Sequence, residues 1–139
     1  MIFWDSSALV ALLVDEEGSA KRREQLGTDS DLAVWWGTPV ECESAIQRGL
    51  REGSLEMPQA RLARERLADL AACWHEVSPV VAVRGLALRL LRTHPLRVAD
   101  SLQLAAALAL AGAGANNLQF ACSDVRLATA AEAEGLQVV

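Results

Sequence analysis

Short apolar runs, each followed by a helix-start signal, constrain this chain more than any other feature. Ile2-Phe3-Trp4 runs into Asp5-Ser6-Ser7, Leu32-Ala33-Val34-Trp35-Trp36 precedes Thr38-Pro39, and the run 118–122 ends at Ser123-Asp124. Runs this short and this apolar read as strands buried on both faces. Residues 74–77 and 136–139 give two further candidates. The segments between them carry helical spacing or caps: 8–14, 19–26, 39 to about 53, 58 to about 73, 79 to about 92, 97–111 and 124–134. Pro39, Pro58 and Pro79 suit first turns, and Gly53 and Gly135 suit stops. Strands alternating with helices or helix pairs predict a three-layer α/β/α sandwich around a parallel sheet. Neither a repeat nor a linker divides the 139 residues, so residues 1–139 form a single domain.

Composition excludes several functions. At 52% hydrophobic and 22% charged residues, the chain is a compact globule and not a disordered segment. A formal net charge of −5 argues against a general polyanion binder. The cations are uneven, however, with Arg48, Arg51, Arg61, Arg64 and Arg66 in one stretch and Lys21, Arg22 and Arg23 in another. Each stretch reads either as a solvated helix face or as a local phosphate-contact surface. Cys42, Cys73 and Cys122 lack Cys-x-x-Cys spacing and read as reduced, mostly buried thiols. With only His75 and His94, a His/Cys zinc site is not expected. The apolar run 104–113 is too short to span a membrane, and no basic segment precedes the apolar stretch 8–14. A cytoplasmic protein without membrane contact is the expectation. Trp4, Trp35, Trp36 and Trp74 are expected mostly in the core, an exposed stacking platform among them being the alternative.

Four carboxylates mark strand ends or first helical turns: Asp5, Glu41, Asp100 and Asp124. In a parallel α/β sheet, sites form beyond the carboxyl ends of the strands. Asp5 and Asp124 follow apolar strands and belong on that rim. Ser6 or Ser7 can cap the helix 8–14, which leaves Asp5 free, and the Ser7 hydroxyl could hold a metal-bound water. Thr38-Pro39-Val40-Glu41 fits a capping box, with Thr38 as N-cap and Glu41 reaching back to it. Glu43 competes for the pocket, but two helical residues span about 200°, so only one of the pair can enter. Glu41, nearer the rim, is preferred. Asp100 opens an Ala/Leu helix whose dipole favours it, and Arg97 could pair with it or reach a substrate phosphate. Ser7, Arg97 and Ser123 are the candidates for positioning substrate or water. Clustered carboxylates repel one another in a low-dielectric cleft. Mg²⁺ or Mn²⁺ would relieve that repulsion, and such ions commonly serve phosphodiester chemistry.

The acidic segments together resemble the PIN-domain ribonucleases, and among them the VapC-type toxins of toxin–antitoxin pairs. Asp5-Ser6-Ser7-Ala8-Leu9 is similar to the family's opening Asp-x-Ser-Ala-Leu. Thr38 through Ile46 resembles its second acidic segment, Ala99 through Ala107 its third, Phe120 through Leu127 its fourth, and Ala130 through Leu136 its ending. The third segment often reads Asp-Ala where this chain has Asp100-Ser101. The resemblance spans the whole chain and implies a five-stranded parallel sheet. It also implies that Asp5, Glu41, Asp100 and Asp124 hold one or two Mg²⁺ or Mn²⁺ ions. A metal-activated water would then cleave structured RNA in line, leaving 5′-phosphate and 3′-hydroxyl ends. A homodimer and a cognate antitoxin are implied as partners, the latter near the Glu41 helix and the 58–73 helix.

Three other readings compete. A PIN-fold module could bind RNA or protein without cleaving. A phosphoacceptor receiver would need an acidic pair after the first strand and a late lysine, whereas Asp5 stands alone and Lys21 is the only lysine. Finally, all four acids could serve as helix caps in a metal-free domain.

Overall fold

A computed structural model of the chain describes residues 1–115 and 117–139. Strand β1 (Ile2–Trp4) pairs in parallel with β2 (Leu32–Trp35) on one side and β4 (Gln119–Ala121) on the other. β3 (His75–Val77) extends the sheet beyond β2, and β5 (Gln137–Val138) extends it beyond β4. The order β3-β2-β1-β4-β5 places the topological switch between β1 and β4. The expected parallel sandwich is therefore present, with five strands among the described residues. The expected loop 112–117 includes Asn116, which lies outside the described residues.

Strand period 2 divides the core between two faces. Ile2, Trp4, Leu32 and Val34 pack with Leu9 and Leu13 of α1 (Ser6–Leu13), Cys42 and Ile46 of α3 (Thr38–Glu52), and Ala60 and Ala63 of α4 (Met57–Ala71). Phe3, Ala33, Trp35 and Phe120 face Leu90 of α5 (Val81–Thr93), Leu104 of α6 (Val98–Gly112) and Leu127 of α7 (Val125–Ala133). Phe3 and Phe120 stack across adjacent strands with centroids 5.7 Å apart. Helix α2 (Ser19–Thr28) lies beside α1. Trp4 and Trp35 are buried as expected, while Trp36 is 54% exposed where the chain leaves β2. No helix among the described residues is long and apolar enough to cross a membrane.

Four helix starts differ from expectation. Asp5, not a serine, caps α1, and its carboxylate accepts the Ser7 N–H at 2.9 Å. Asp5 follows the strand directly and already has extended φ and ψ, the backbone shape of an N-cap. Helix α3 is capped at Gly37, so Thr38 is already helical and the Thr38–Glu41 capping box does not form. A Cβ at Gly37 would lie 2.7 Å from the Trp35 indole nitrogen. Glycine alone leaves room there for the Trp35 indole, and the helix begins one residue before the expected Pro39. Helix α4 starts at Met57 with Glu56 as N-cap, and α5 starts at Val81, two residues beyond Pro79.

A polar clamp joins the C-terminal halves of α5 and α7. Glu134 accepts two hydrogen bonds from Arg89, at 2.9 and 2.7 Å, and lies 2.8 Å from the His94 ring nitrogen. These partners hold its carboxyl down to about 2. A depressed carboxylate stabilises the fold above its unfolded value and loses that contribution as pH falls toward the folded value. Arg89 is 46% exposed, so solvent screening discounts the gain to about 1 kcal/mol. Glu134→Gln should therefore lower stability by about 1 kcal/mol at pH 7, with the deficit shrinking between pH 4.5 and pH 2. Urea unfolding of both proteins across that range measures it.

Candidate active site

The carboxyl rim opens into a cleft of about 550 Å³ lined by Ser6, Ser7, Glu41, Ser44, Arg48, Asp100, Ser123 and Asp124, among others. Asp5 is buried to 3% exposure behind Ser7. Each strand-to-helix junction delivers one part. β1 ends at Asp5 and β4 ends just before Cys122-Ser123-Asp124, and the Asp5 N–H donates to the Ala121 carbonyl at 3.0 Å. That single ladder bond sets the first and fourth acidic segments side by side. Glu41 enters from the first turn of α3 and Asp100 from the first turn of α6.

Each carboxylate has its own environment. Ser7 donates to Asp5 through both its N–H and its hydroxyl, and its hydroxyl oxygen accepts the Ser123 N–H at 3.0 Å. The Ser7 hydroxyl is thus engaged in joining the two strand ends. Burial pushes the Asp5 carboxyl up to about 6 against the Ser7 hydrogen bonds, and the charges of Glu41 and Asp100 raise it further. Glu41 is half-buried; its Oε2 accepts the Ser6 hydroxyl at 2.7 Å and its Oε1 accepts the Gln103 amide at 3.0 Å. Burial again raises its pKa, with Asp100 adding to the effect. Asp100 accepts the Arg97 backbone N–H at 3.3 Å, while the Arg97 side chain is exposed and forms no ion pair with it among the described residues. Asp124 caps α7 by accepting the Leu127 N–H at 2.9 Å and also lines the cleft.

Glu43 is drawn off to α4, where Arg64 holds it with two hydrogen bonds, at 3.0 and 2.8 Å. The Cys122 thiol lies 3.8 Å from Asp5, but burial pushes it up to about 12, so it is no thiolate nucleophile. The arginine stretches also resolve. Arg66 donates to the Leu13 carbonyl, Arg23 pairs with Asp15, and Arg48 is the one cation among the residues lining the cleft.

Three contributors are not apparent from sequence. Ser6 holds Glu41, although its signal was adjacency to Asp5. Gln103 is fully buried at the i+3 position from Asp100, and a lone amide on an Ala/Leu face was the available clue. Arg22, placed among solvated or phosphate-facing cations, is instead only 4% exposed. It donates to the carbonyls of Cys122 and Val139, to the Ser123 hydroxyl at 3.2 Å and to Gln25 at 2.8 Å. Its neighbours Lys21 and Arg23 are exposed, so nothing local in the sequence distinguishes it.

The side-chain ligands facing the cleft are oxygen only, and burial together with the Asp100 charge raises both Asp5 and Glu41, which fits a hard divalent cation. Among the described residues no three Asp, Glu, His or Cys side chains are drawn together closely enough to hold an ion as they stand. The acids are instead parked on serine, amide and backbone donors.

The buried Asp5 yields a stability test. A carboxyl raised from 3.8 to about 6 binds its proton more tightly in the folded state, so stability is fully present at low pH and is lost as pH rises through that window. Asn retains the capping oxygen without the charge. In metal-free buffer, Asp5→Asn should stabilise the protein by about 1–3 kcal/mol at pH 7.5 and leave it unchanged near pH 4. Thermal melts at both pH values decide this.

No family model matches the chain. The ribonucleases VapC45 and VapC49 of two Mycobacterium tuberculosis strains are each 33% identical to it over 139 residues, covering 99% of this chain and 94% of theirs. Among solved structures, FitAcB of Neisseria gonorrhoeae superposes with a TM-score of 0.67 at 17% identity, covering 99% of this chain and 96% of its own. PAE2754 of Pyrobaculum aerophilum gives 0.64 at 21% identity, covering 99% and 83%. VapBC2 of Rickettsia felis, solved bound to a DNA fragment from their promoter, gives 0.66 at 10% identity, covering 100% and 98%. At these identities the solved structures establish the fold. Full-length identity with the two curated relatives establishes the lineage: the chain belongs to the VapC family of ribonucleases.

Proposed function

We propose that this protein is the toxin of a toxin–antitoxin pair, a cytoplasmic, homodimeric endoribonuclease that uses Mg²⁺ or Mn²⁺ to cleave structured RNA. The observation carrying this reading is the convergence of Glu41, Asp100 and Asp124 on one cleft at the topological switch point, with Asp5 directly behind. Kinship with ribonucleases supports the substrate class, and the likeness to VapBC2 supports an antitoxin partner.

Glu41, Asp100, Asp5 and Asp124 are the residues that would hold the cation. When bound, such an ion supplies Lewis-acid charge and lowers the pKa of a water. The chain's own groups do the rest. Ser6 fixes one oxygen of Glu41, and Ser7 locks Asp5 to the Ser123 turn. Arg48 lies seven residues, two helical turns, beyond Glu41 on α3, where its guanidinium can receive a phosphate flanking the scissile one. One local cation inside a chain of net charge −5 is enough to orient a strand without creating a general polyanion surface.

Calorimetric Mn²⁺ titration and cleavage of a structured RNA, run on native protein and Asp100→Asn, test the site. Binding and cleavage should vanish together in the variant. A native protein that binds RNA but does not cleave it in Mn²⁺ would instead be a binding module. Arg48→Ala should raise KM about tenfold with little change in kcat and flatten the salt dependence of KM. Steady-state kinetics at several ionic strengths would show this.

A further inference from the structure

Gln103 has no role in the proposed chemistry, yet it is fully buried in the otherwise Ala/Leu face of α6. A buried amide without a task is uncommon, because each unpaired polar atom loses its water. Its Nε2 donates to Glu41 Oε1 at 3.0 Å and to the Thr38 hydroxyl at 3.2 Å. Its Oε1 is buried with no partner. Both Nε2 hydrogens are therefore spent on the first turn of α3, at the expense of the other end of the amide. A flipped amide would set Oε1 against the Glu41 carboxylate, so the carboxylate itself fixes the amide's orientation. Thr38 is also fully buried, which makes the contact a rigid one. Ser6 donates to the second oxygen of Glu41 at 2.7 Å. Donors from α1 and α6 thus hold the two oxygens of a carboxylate carried by α3.

We propose that Gln103 is a positioning residue: from the far side of the cleft it holds the Glu41 carboxylate in the one orientation that faces the other acids. This role rests on the metal-dependent reading of the site. Neutral donors suit the task better than a cation, because they orient the carboxylate without cancelling the charge it would present to an ion. The spacing explains the economy: Asp100 and Gln103 lie on one face of α6, so a single helix start supplies one acid and the clamp for another.

The test uses Mn²⁺ affinity of the full chain, measured by calorimetry without RNA, alongside the melting temperature. Gln103→Met keeps the volume and removes the donor. Gln103→Asn keeps the amide but withdraws it by one methylene, and guards against a Met variant that does not fold. Thr38→Val removes the other acceptor and leaves the Glu41 bond in place. Loss of a partner that orients a ligand typically weakens metal binding 10- to 100-fold. We expect both Gln103 variants to bind Mn²⁺ at least about tenfold more weakly than native protein, and Thr38→Val to bind within about twofold of it. A merely structural amide would lower the melting temperature in all three variants and leave affinity alone. Native-like affinity in folded Gln103→Met and Gln103→Asn overturns the proposal while the metal reading stands. Absence of Mn²⁺ binding in native protein overturns the metal reading, and this role with it.

Discussion

The parallel pairing of β1 with β4 is the constraint on which the cleft depends. The two strands are more than a hundred residues apart in sequence, and between them the described chain passes through β2, β3 and helices α1 to α6. Only their adjacency brings Asp5 to the turn carrying Ser123 and Asp124. The Asp5 N–H to Ala121 carbonyl bond continues the ladder one residue past β1, and Ser7 then extends the connection through side-chain oxygen. The Phe3–Phe120 stack beneath these bonds supplies apolar packing at the same register. Slippage by one residue would turn Phe3 toward α1 and break the stack, so core packing and site geometry share one register.

Around this seam the cleft is held by hydrogen bonds more than by ion pairs. Asp5 and Glu41 rest on serine and amide donors, and both are raised by burial and by neighbouring carboxylates. The compensating charges are placed elsewhere: Arg64 on Glu43, Arg89 on Glu134, Arg23 on Asp15. Pairing at the periphery leaves Glu41, Asp100 and Asp124 around a cleft whose one lining cation is Arg48, so acidic groups outnumber basic ones there. Such a distribution stabilises little by itself, since exposed pairs contribute weakly, but it concentrates the field where a cation would enter.

Much of this was legible in the sequence, for reasons that can be named. Short apolar runs and proline-marked helix starts identify the three central strands and several of the helices, because burial on both faces and proline near a helix start are local properties. The acids at strand ends were legible for the same reason. The features that escaped involve partners distant in sequence or a contact the local pattern does not show. Thr38 has every local mark of an N-cap, yet Gly37, packed under the Trp35 indole, takes that position and Glu41 faces the cleft instead of closing a capping box. Asp5 takes the cap that Ser6 and Ser7 were free to take, and both serines turn to other carboxylates or strands. Gln103 and Arg22 carry no local pattern at all; their partners lie 62 and 65 residues away for the first, and 100 and 117 away for the second.

Arg22 shows how a side chain that recognises backbone shapes the evolution of a fold. Its guanidinium joins the carbonyl of Cys122, one residue past β4, to that of Val139, one residue past β5. Every residue type offers such a carbonyl, so positions 122 and 139 are free to vary without disturbing the contact. Pairwise covariation between relatives would therefore not register this link, however strongly the fold relies on it. The constraint falls instead on length: an insertion in the α7 connection that shifted β5 by one residue would carry the second carbonyl out of the fork's reach. Among relatives, Arg22 should accordingly track the spacing between the last two strands more than the identity of residues within it, the Ser123 hydroxyl being the one side chain there that it also contacts.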